Sequence, residues 1–408
     1  MSNALVRAPT WIELSESALR NNLRVLKRKI GRGVRFCSVV KGNAYGHSLS
    51  CYVPLAERCG VRHFAVFSAA EAAMVLEART QRSDVIIMGH IDDHDLRWAV
   101  DQGLAFFVFD LGRLDAALAA ARKSGRPARV HLEVETGLNR TGLSVKSLRR
   151  AADRFHRDAG LLQPEGLCTH FAGAESFANY WRVQQQMETF AARSELLTEL
   201  GFADTLRHVA CSAVVFNYPE CLHDMVRVGI AQFGYWPSQE TRLHHLKGNG
   251  RRRRTPVLQR VLSWKSRVMN LKTVPVGEFV GYGNSYQATR KMRLAAVPVG
   301  YYHGFARDQS NLGHVLIRGS RCQVVGMVNM NMLTADVSDV PDVKVGDEVV
   351  LIGSQGEQDI SVGTFGERTN DLNYEVLVRL PGGGLIAGGS GQEPGPSACF
   401  GAQVRRCR

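Results

Sequence analysis

Lys41 closes an apolar run, Phe36-Cys37-Ser38-Val39-Val40, and opens the string Lys41-Gly42-Asn43-Ala44-Tyr45-Gly46-His47. An amine at the dry end of a buried strand loses hydration, so its charged form is disfavoured and its pKa falls. A neutral amine attacks a carbonyl carbon and forms a Schiff base. A lone lysine past a strand end is more often a plain surface residue. Here Gly42, Asn43, Tyr45 and Gly46 follow at once, a loop able to bring backbone and a phenol close to a ligand.

Four more residues invite a chemical reading. Arg227 sits inside the apolar run Met225-Val226-Arg227-Val228-Gly229-Ile230. A guanidinium there must find an acceptor or bear a large desolvation cost. A buried salt bridge to a barrel carboxylate would satisfy it as well as a ligand would. His170, in Cys168-Thr169-His170-Phe171-Ala172, ends a strand pattern, where a histidine is usually a satisfied core residue. Arg140 follows a strand in Glu133-Val134-Glu135-Thr136-Gly137-Leu138-Asn139-Arg140-Thr141-Gly142, and glycines on both sides let it reach an anion. Tyr282 stands between Gly281 and Gly283; taken alone, it reads as a hairpin tyrosine packing on its turn.

The elements that must position these residues alternate. Trp11-Ile12-Glu13-Leu14 reads as a strand, followed from Ser15 or Ser17 by a helix whose Leu19, Leu23, Leu26 and Ile30 form one face. Eight strand patterns follow at 35–40, 63–68, 84–89, 104–110, 128–135, 165–172, 206–212 and 225–233. Most gaps carry a helical pattern, such as 69–79, 92–101, 111–124 and 174–200. This predicts an α/β fold: a (β/α)8 barrel over 9–237, with 9–14 as an extra N-terminal strand. From 238 to 381 short strand patterns at 257–271, 292–298, 314–319, 322–327, 332–337 and 348–353 are split by Gly, Pro and polar turns. They predict a C-terminal, mainly β domain, which residues 1–14 could join, with one short helix over 362–370. Gly382-Gly383-Gly384 and Gly388-Gly389-Ser390-Gly391 then mark 382–408 as a tail without a fixed fold.

Composition bounds the function classes. The 408 residues exceed one average domain, and 45% hydrophobic with 22% charged residues is ordinary for a globular chain. No run approaches a membrane span, and Met1-Ser2-Asn3-Ala4-Leu5-Val6-Arg7 lacks a secretory apolar core, so a cytoplasmic protein without a membrane partner is expected. Nine scattered cysteines without Cys-x-x-Cys suggest neither a disulfide framework nor a metal site. The net charge of +13 is partly local, in Arg251-Arg252-Arg253-Arg254 and Arg405-Arg406-Cys407-Arg408. Without interleaved aromatics, such runs are solvated segments and predict no specific nucleic-acid partner.

Val39-Val40-Lys41-Gly42-Asn43-Ala44-Tyr45-Gly46-His47 resembles the cofactor-lysine motif of the alanine racemases, pyridoxal 5'-phosphate (PLP) enzymes with a barrel and a β domain. Further blocks resemble the same family in the same order across residues 9–381. The resemblance implies that Lys41 holds PLP as a Schiff base and is one of two catalytic bases. Tyr282, delivered by the partner subunit of a homodimer, is the other. It places Arg227 against the pyridine nitrogen, where an arginine that keeps its proton leaves the ring a weaker electron sink and favours proton exchange at Cα. The phosphate would be held by Ser212, by the backbone of Gly229 and Ile230, and by the phenols of Tyr45 and Tyr374. Arg140 would meet the cofactor's phenolate oxygen and the substrate carboxylate. His170 would link Arg227 to the catalytic tyrosine, and His208 would stand behind the cofactor. Tyr301 and Met330 would line the entrance.

The chain departs from the family at three positions: Cys211 where Asn is frequent, Asn331 where Asp is common, and Glu133 where many relatives have a carbamylated lysine that orients the arginine. The expected activity is interconversion of L- and D-alanine, supplying D-alanine for peptidoglycan, with Tyr374 favouring alanine over serine. The alternatives are a racemase of broader or different amino-acid specificity and a PLP decarboxylase on the same plan, whose partner cysteine and acidic groups the sequence does not offer. A PLP carrier resembles the barrel alone, and the second domain with Tyr282 counts against it. A basic nucleic-acid-binding module rests on the arginine runs alone.

Overall fold

The computed structural model describes residues 8–248, 257–369, 372–380 and 385–388. They form two compact units. One comprises 17–41 and 53–259; the other holds the described residues of 1–16, 42–52 and 260–408.

The first strand, β1 (Thr10–Ser15), belongs to the second unit. The first unit is built on β2 (Arg35–Val39), β3 (His63–Val66), β4 (Asp84–Ile87), β5 (Ala105–Val108), β6 (Ala128–Glu133), β7 (Leu162–Cys168), β8 (Leu206–His208) and β9 (Met225–Val228). These eight pair in the order β8-β7-β6-β5-β4-β3-β2-β9, every pair parallel. Strands buried on both faces read as continuous apolar runs rather than alternating ones, as Ala105-Phe106-Phe107-Val108 does. The two ends of the sheet approach each other: Asp224 N–H donates to the Arg207 carbonyl at 3.0 Å and Arg227 N–H to the Ala210 carbonyl at 2.8 Å. The sheet is thus a nearly closed barrel, as the eight strand–helix repeats predicted.

Local chemistry sets the connections. Ser68, Asp110 and Ser144 cap the helices Ala69–Ala78, Leu111–Ser124 and Val145–Arg157, each side-chain oxygen accepting a first-turn N–H. One irregularity matters below. The ladder between β6 and β7 shifts register between Val130 and His131, leaving His131 opposite Gly166.

The second unit contains β10 (Leu262–Arg267), β11 (Asn270–Val274), β12 (Met292–Val297), β13 (His314–Ile317), β14 (Ser320–Gln323), β15 (Leu333–Asp336), β16 (Glu348–Gln355), β17 (Gln358–Ile360) and β18 (Leu385–Gly388). One sheet runs β14-β13-β16-β10-β1-β18 with β17 on β16; a second is β11-β12-β15. The N-terminal strand therefore pairs here rather than with the barrel. Its Thr10 hydroxyl donates to the Lys265 carbonyl at 2.7 Å and accepts the indole N–H of fully buried Trp264 at 2.7 Å. The expected short helix is present as Val362–Thr369, and a second, Asn373–Val378, was not foreseen.

The expectation for the tail needs one correction. Leu385–Gly388 is a strand, paired in parallel with Ile12–Ser15; the rest of 382–408 lies outside the described residues. A parallel ladder can form there because β1 otherwise presents an unpaired edge. Of two truncated chains, the one ending at Gly384 should melt a few degrees below the one ending at Gly388, since the lost ladder bonds contribute about 1–2 kcal/mol. Equal melting temperatures in calorimetry would show that this strand adds nothing to the sheet.

Candidate functional site

The barrel unit gathers its functional groups at the C-terminal ends of its strands. Lys41 follows β2 by two residues, with Val40 N–H still bonded to the Ala65 carbonyl of β3 at 2.8 Å. Beneath it Gln232, fully buried, ties two strand ends together. Its amide donates to the Val39 carbonyl at 3.0 Å and the Val228 carbonyl at 2.9 Å, and its oxygen accepts the Ser38 hydroxyl at 2.7 Å. Sequence reasoning missed this glutamine, whose only signal is an amide in an otherwise apolar stretch. Lys41 keeps contact with solvent. The surrounding wall nevertheless strips water from its amine and pushes the pKa down, and the Arg140 charge adds to the effect.

Arg227 lies on β9 with 5% of its surface exposed. Its guanidinium donates to His208 Nδ1 at 2.5 Å, to the His208 carbonyl at 2.7 Å and to the Thr169 carbonyl at 2.7 Å, and lies 5.8 Å from the Phe107 ring centre. Among the described residues no carboxylate stands within ion-pair distance of it. The salt-bridge reading of Arg227 is therefore overturned: its partners are neutral. His170, two residues beyond β7, is pushed down to about 3 by burial, then by Arg227, Arg140 and Lys41, and is neutral at pH 7. These four groups share one electrostatic neighbourhood, although His170 makes no hydrogen bond to Arg227.

On the same face Ser212 opens the short helix Ser212–Asn217, and its hydroxyl accepts the N–H groups of Gly229 at 3.1 Å and Ala231 at 3.4 Å. Ile230 starts a single 3₁₀ turn, whose first N–H has no intrahelical partner. The Arg140 loop is folded by Glu135, whose carboxylate accepts N–H bonds from Gly137 at 2.5 Å and Asn139 at 3.1 Å, while Asn139 takes a left-handed φ of 58°. Glu133 is buried, and its carboxylate accepts the Thr141 hydroxyl at 2.9 Å rather than the Arg140 guanidinium. It thus ties down the residue after Arg140, which leaves Arg140 exposed.

The second unit carries the remaining residues. Directly after Lys41 the chain makes a left-handed turn: Gly42, Asn43, Ala44, Tyr45 and Gly46 all have φ between 51° and 76°. Gly46 N–H closes it onto the Gly42 carbonyl at 3.0 Å, and Asn43 Oδ1 caps the next helix at Leu49 N–H, 2.9 Å away. A Cβ on Gly46 would lie 1.9 Å from the Leu377 carbonyl oxygen, so only glycine lets this turn sit against Asn373–Val378. That packing brings the Tyr45 and Tyr374 rings to 6.0 Å. Tyr282 tops a hairpin whose Val280 packs with Val274, Ala288, Met292, Leu294 and Val325. The ring itself is 74% exposed, so the expectation of a tyrosine packed on its own turn fails. The segments holding Tyr301 and Met330 meet through backbone: Tyr301 N–H bonds the Asn329 carbonyl at 3.0 Å and Tyr302 N–H the Met330 carbonyl at 2.9 Å. Gly300 permits this, because a Cβ there would stand 1.9 Å from the Asn329 oxygen.

Comparison with known proteins agrees with this arrangement. Residues 14–237 match the family described as alanine racemase, N-terminal domain, and residues 261–382 its C-terminal domain. An alanine racemase of Symbiobacterium thermophilum is 36% identical over 375 residues, 91% of this chain and 95% of its own. One from Leptospira interrogans is 32% identical over 372 residues, 91% and 93% of the two chains. Among solved structures, alanine racemase from Bacillus anthracis with bound L-Ala-P is 29% identical at a TM-score of 0.81, covering 93% of this chain and 94% of the other.

Buried histidines make the fold acid-sensitive. Burial holds His47 down to about 4 and His131 to about 3, and places His208 well below its usual value. The unfolded chain therefore binds more protons than the folded one as pH falls below about 6.5. Their contribution is complete above that value and is lost toward the folded pKa, at about 1.4 kcal/mol per pH unit for each histidine. Urea unfolding should give clearly lower stability at pH 5.5 than at pH 7.5, before most carboxylates titrate. A flat profile over that interval would mean that these rings take up protons in the native state as readily as in the unfolded chain.

Proposed function

Because the chain belongs to the alanine racemase family, we propose that this amino-acid racemase interconverts L- and D-alanine with PLP as its cofactor, and that it works as a homodimer with shared sites. The family is PLP-dependent. The donor set suits that cofactor: a water-stripped amine, a buried guanidinium, and a hydroxyl beside two backbone N–H groups at adjacent strand ends. Lys41 would hold PLP covalently, and Arg227 would face the pyridine nitrogen. Ser212, Gly229 and Ile230 would receive the phosphate, with the phenols of Tyr45 and Tyr374 completing its shell. Once bound, PLP supplies a carbonyl carbon for an amine and a conjugated ring that spreads charge from the substrate Cα.

The observation that carries this reading is the lowered pKa of Lys41 among Arg140, Arg227 and neutral His170. An amine that sheds its proton at Nζ can bind a carbonyl and can also take a proton from Cα on one face. Arg227 only donates, and its recorded acceptors are an imidazole nitrogen and two carbonyls. Opposite a pyridine nitrogen it would present an N–H and keep its own proton. Arg140 would pair with the substrate carboxylate; its exposure supports that reach. Its link to Glu133 runs through Thr141, so its orientation needs no carbamylated lysine.

The second base would be Tyr282 Oη from the partner subunit. An exposed phenol on a glycine-flanked hairpin supports delivery to another copy, as does the exposure of Tyr301, Tyr302 and Met330, which would line the entrance. Two bases on opposite faces invert the centre without turning the substrate. Exposed Asn331 beside Met330 leaves this entrance without a carboxylate at that position, and Tyr374 favours the small side chain of alanine. Among the described residues no helix is long and apolar enough to cross a membrane. We place the enzyme in the cytoplasm, supplying D-alanine for the cell wall.

In deuterated water L-alanine should exchange its α-proton and racemise, faster than other amino acids in a panel. Exchange of another amino acid in preference would assign a different substrate, and loss of carbon dioxide a decarboxylase. Lys41→Ala should abolish both the covalent PLP link and exchange; a borohydride-reducible link persisting at the native site would exclude Lys41. Mixing inactive Lys41→Ala and Tyr282→Phe chains should restore part of the activity, since one of the two hybrid sites is intact. Mixed dimers that form yet stay inactive would refute the shared site.

A further inference from the structure

Arg227 is anchored by more than the histidine it touches. His208 Nε2 lies 2.8 Å from His131 Nδ1, and His131 Nε2 lies 3.9 Å from Glu165 Oε2. The two rings meet edge to face at 4.9 Å between centres, and both are buried at 2% exposure or less. Phe107 flanks them, 5.9 Å from His208 and 6.1 Å from His131. Glu165 is gripped by Arg129, which also holds Asp84, with N–O distances of 2.6 and 2.9 Å.

Proton positions in this chain follow from its first member. A guanidinium has donors and no acceptor. His208 Nδ1 must accept from it, so the His208 proton sits on Nε2. His131 Nδ1 must then accept in turn, so the His131 proton sits on its Nε2 and points at the Glu165 carboxylate. An imidazolium at either place would set two N–H groups against each other. Burial, reinforced by Arg129 and Arg227 at His131 and by Arg227 at His208, keeps both rings neutral.

The backbone makes room for this arrangement at one point. Gly166 stands opposite His131 after the register shift in the β6–β7 ladder, and a Cβ there would lie 2.1 Å from His131 Nδ1 and 2.8 Å from Cε1. The φ of Gly166 is outside the left-handed region, so glycine is required for the ring and not for the backbone.

We infer that Arg227, His208 and His131 form a one-directional hydrogen-bond relay through the barrel interior, its last N–H facing the Glu165 carboxylate 3.9 Å away, and that His131 and Gly166 are positioning residues that fix how Arg227 presents its N–H groups. The inference rests on the proposed role of Arg227 toward the pyridine nitrogen. A remote carboxylate polarises neutral imidazoles toward the guanidinium without standing beside it. Arg227 then stays aimed, while the site at the barrel mouth carries no competing anion on it.

The experiment is ¹⁵N NMR of histidine-labelled holoenzyme, combined with three variants. In the native protein His131 and His208 should each show a protonated Nε2 and a bare, hydrogen-bonded Nδ1 at neutral pH. Either ring with its proton on Nδ1, or doubly protonated, would overturn the relay even if racemisation is confirmed. Gly166→Ala removes no polar group but displaces His131. It and His131→Leu should lower kcat about tenfold with KM for alanine little changed, and should shift the His208 resonances. His131→Asn, whose side-chain oxygen can replace Nδ1 as acceptor, should stay within about threefold of the native kcat. Native kcat and native His208 resonances in Gly166→Ala would refute positioning by His131. Should the protein racemise nothing, the resonances decide the relay alone, so the two readings fail separately.

Discussion

A guanidinium sealed inside a barrel, with no carboxylate partner among the described residues, is the constraint around which this structure is arranged. Removing such a charge from water costs several kcal/mol, and ordinary folds meet that cost with an adjacent anion. Here Arg227 has two carbonyls, one imidazole and the face of Phe107. They come from three strand ends: the Thr169 carbonyl after β7, the His208 ring and carbonyl on β8, and Phe107 on β5. Only a closed ring of parallel strands, with inward side chains stacked in layers, brings those groups around one point. The missing anion is the chemically useful part. A carboxylate on Arg227 would compete with whatever neutral acceptor the ligand presents and would weaken the field at the barrel mouth. Glu165 stands at the far end of the chain of rings, two imidazoles away.

The second demand on the chain is the turn after Lys41. Three non-glycine residues in the left-handed region cost roughly 1–2 kcal/mol each, so the turn does not persist on backbone preference. It is offset by burial of Ala44 and Tyr45, by the Asn43 cap on Leu49, and by the close approach at Gly46. The strain falls at the residues that follow Lys41. Gln232 clamps the residues that precede it. The backbone at Lys41 is therefore fixed from both sides along the chain.

The strand and helix repeats of the barrel were readable because buried parallel strands and amphipathic helices leave strong periodic signals. Lys41 and Arg227 were readable because charge inside an apolar run is conspicuous. What the sequence hid depends on contacts between distant positions. Gln232 looks like any polar residue until its amide meets Val39 and Val228. The partner of Glu133 is Thr141 rather than the guanidinium, because the loop turns at Gly137 and Asn139 in a way that only the Glu135 hydrogen bonds define. The parallel pairing of β18 with β1 joins segments at opposite ends of the chain, and a glycine-rich stretch gives no periodic hint of it. Tyr282 was recognisable by its flanking glycines and by resemblance, yet its exposure could not be read from the string alone.

Glu133 and Arg140 illustrate how a buried carboxylate can shape an arginine loop without bonding the arginine. A carboxylate bonded directly to Arg140 would saturate part of the guanidinium fork and bias it away from an incoming carboxylate. By holding Thr141 instead, Glu133 restrains the backbone beside the arginine and leaves all five N–H donors available. The loop gains position from hydrogen bonds at Glu133 and Glu135, and the arginine keeps its capacity for a ligand. Stiffness is thus supplied by anions bound to hydroxyl and backbone donors, and reach by a cation that they do not touch.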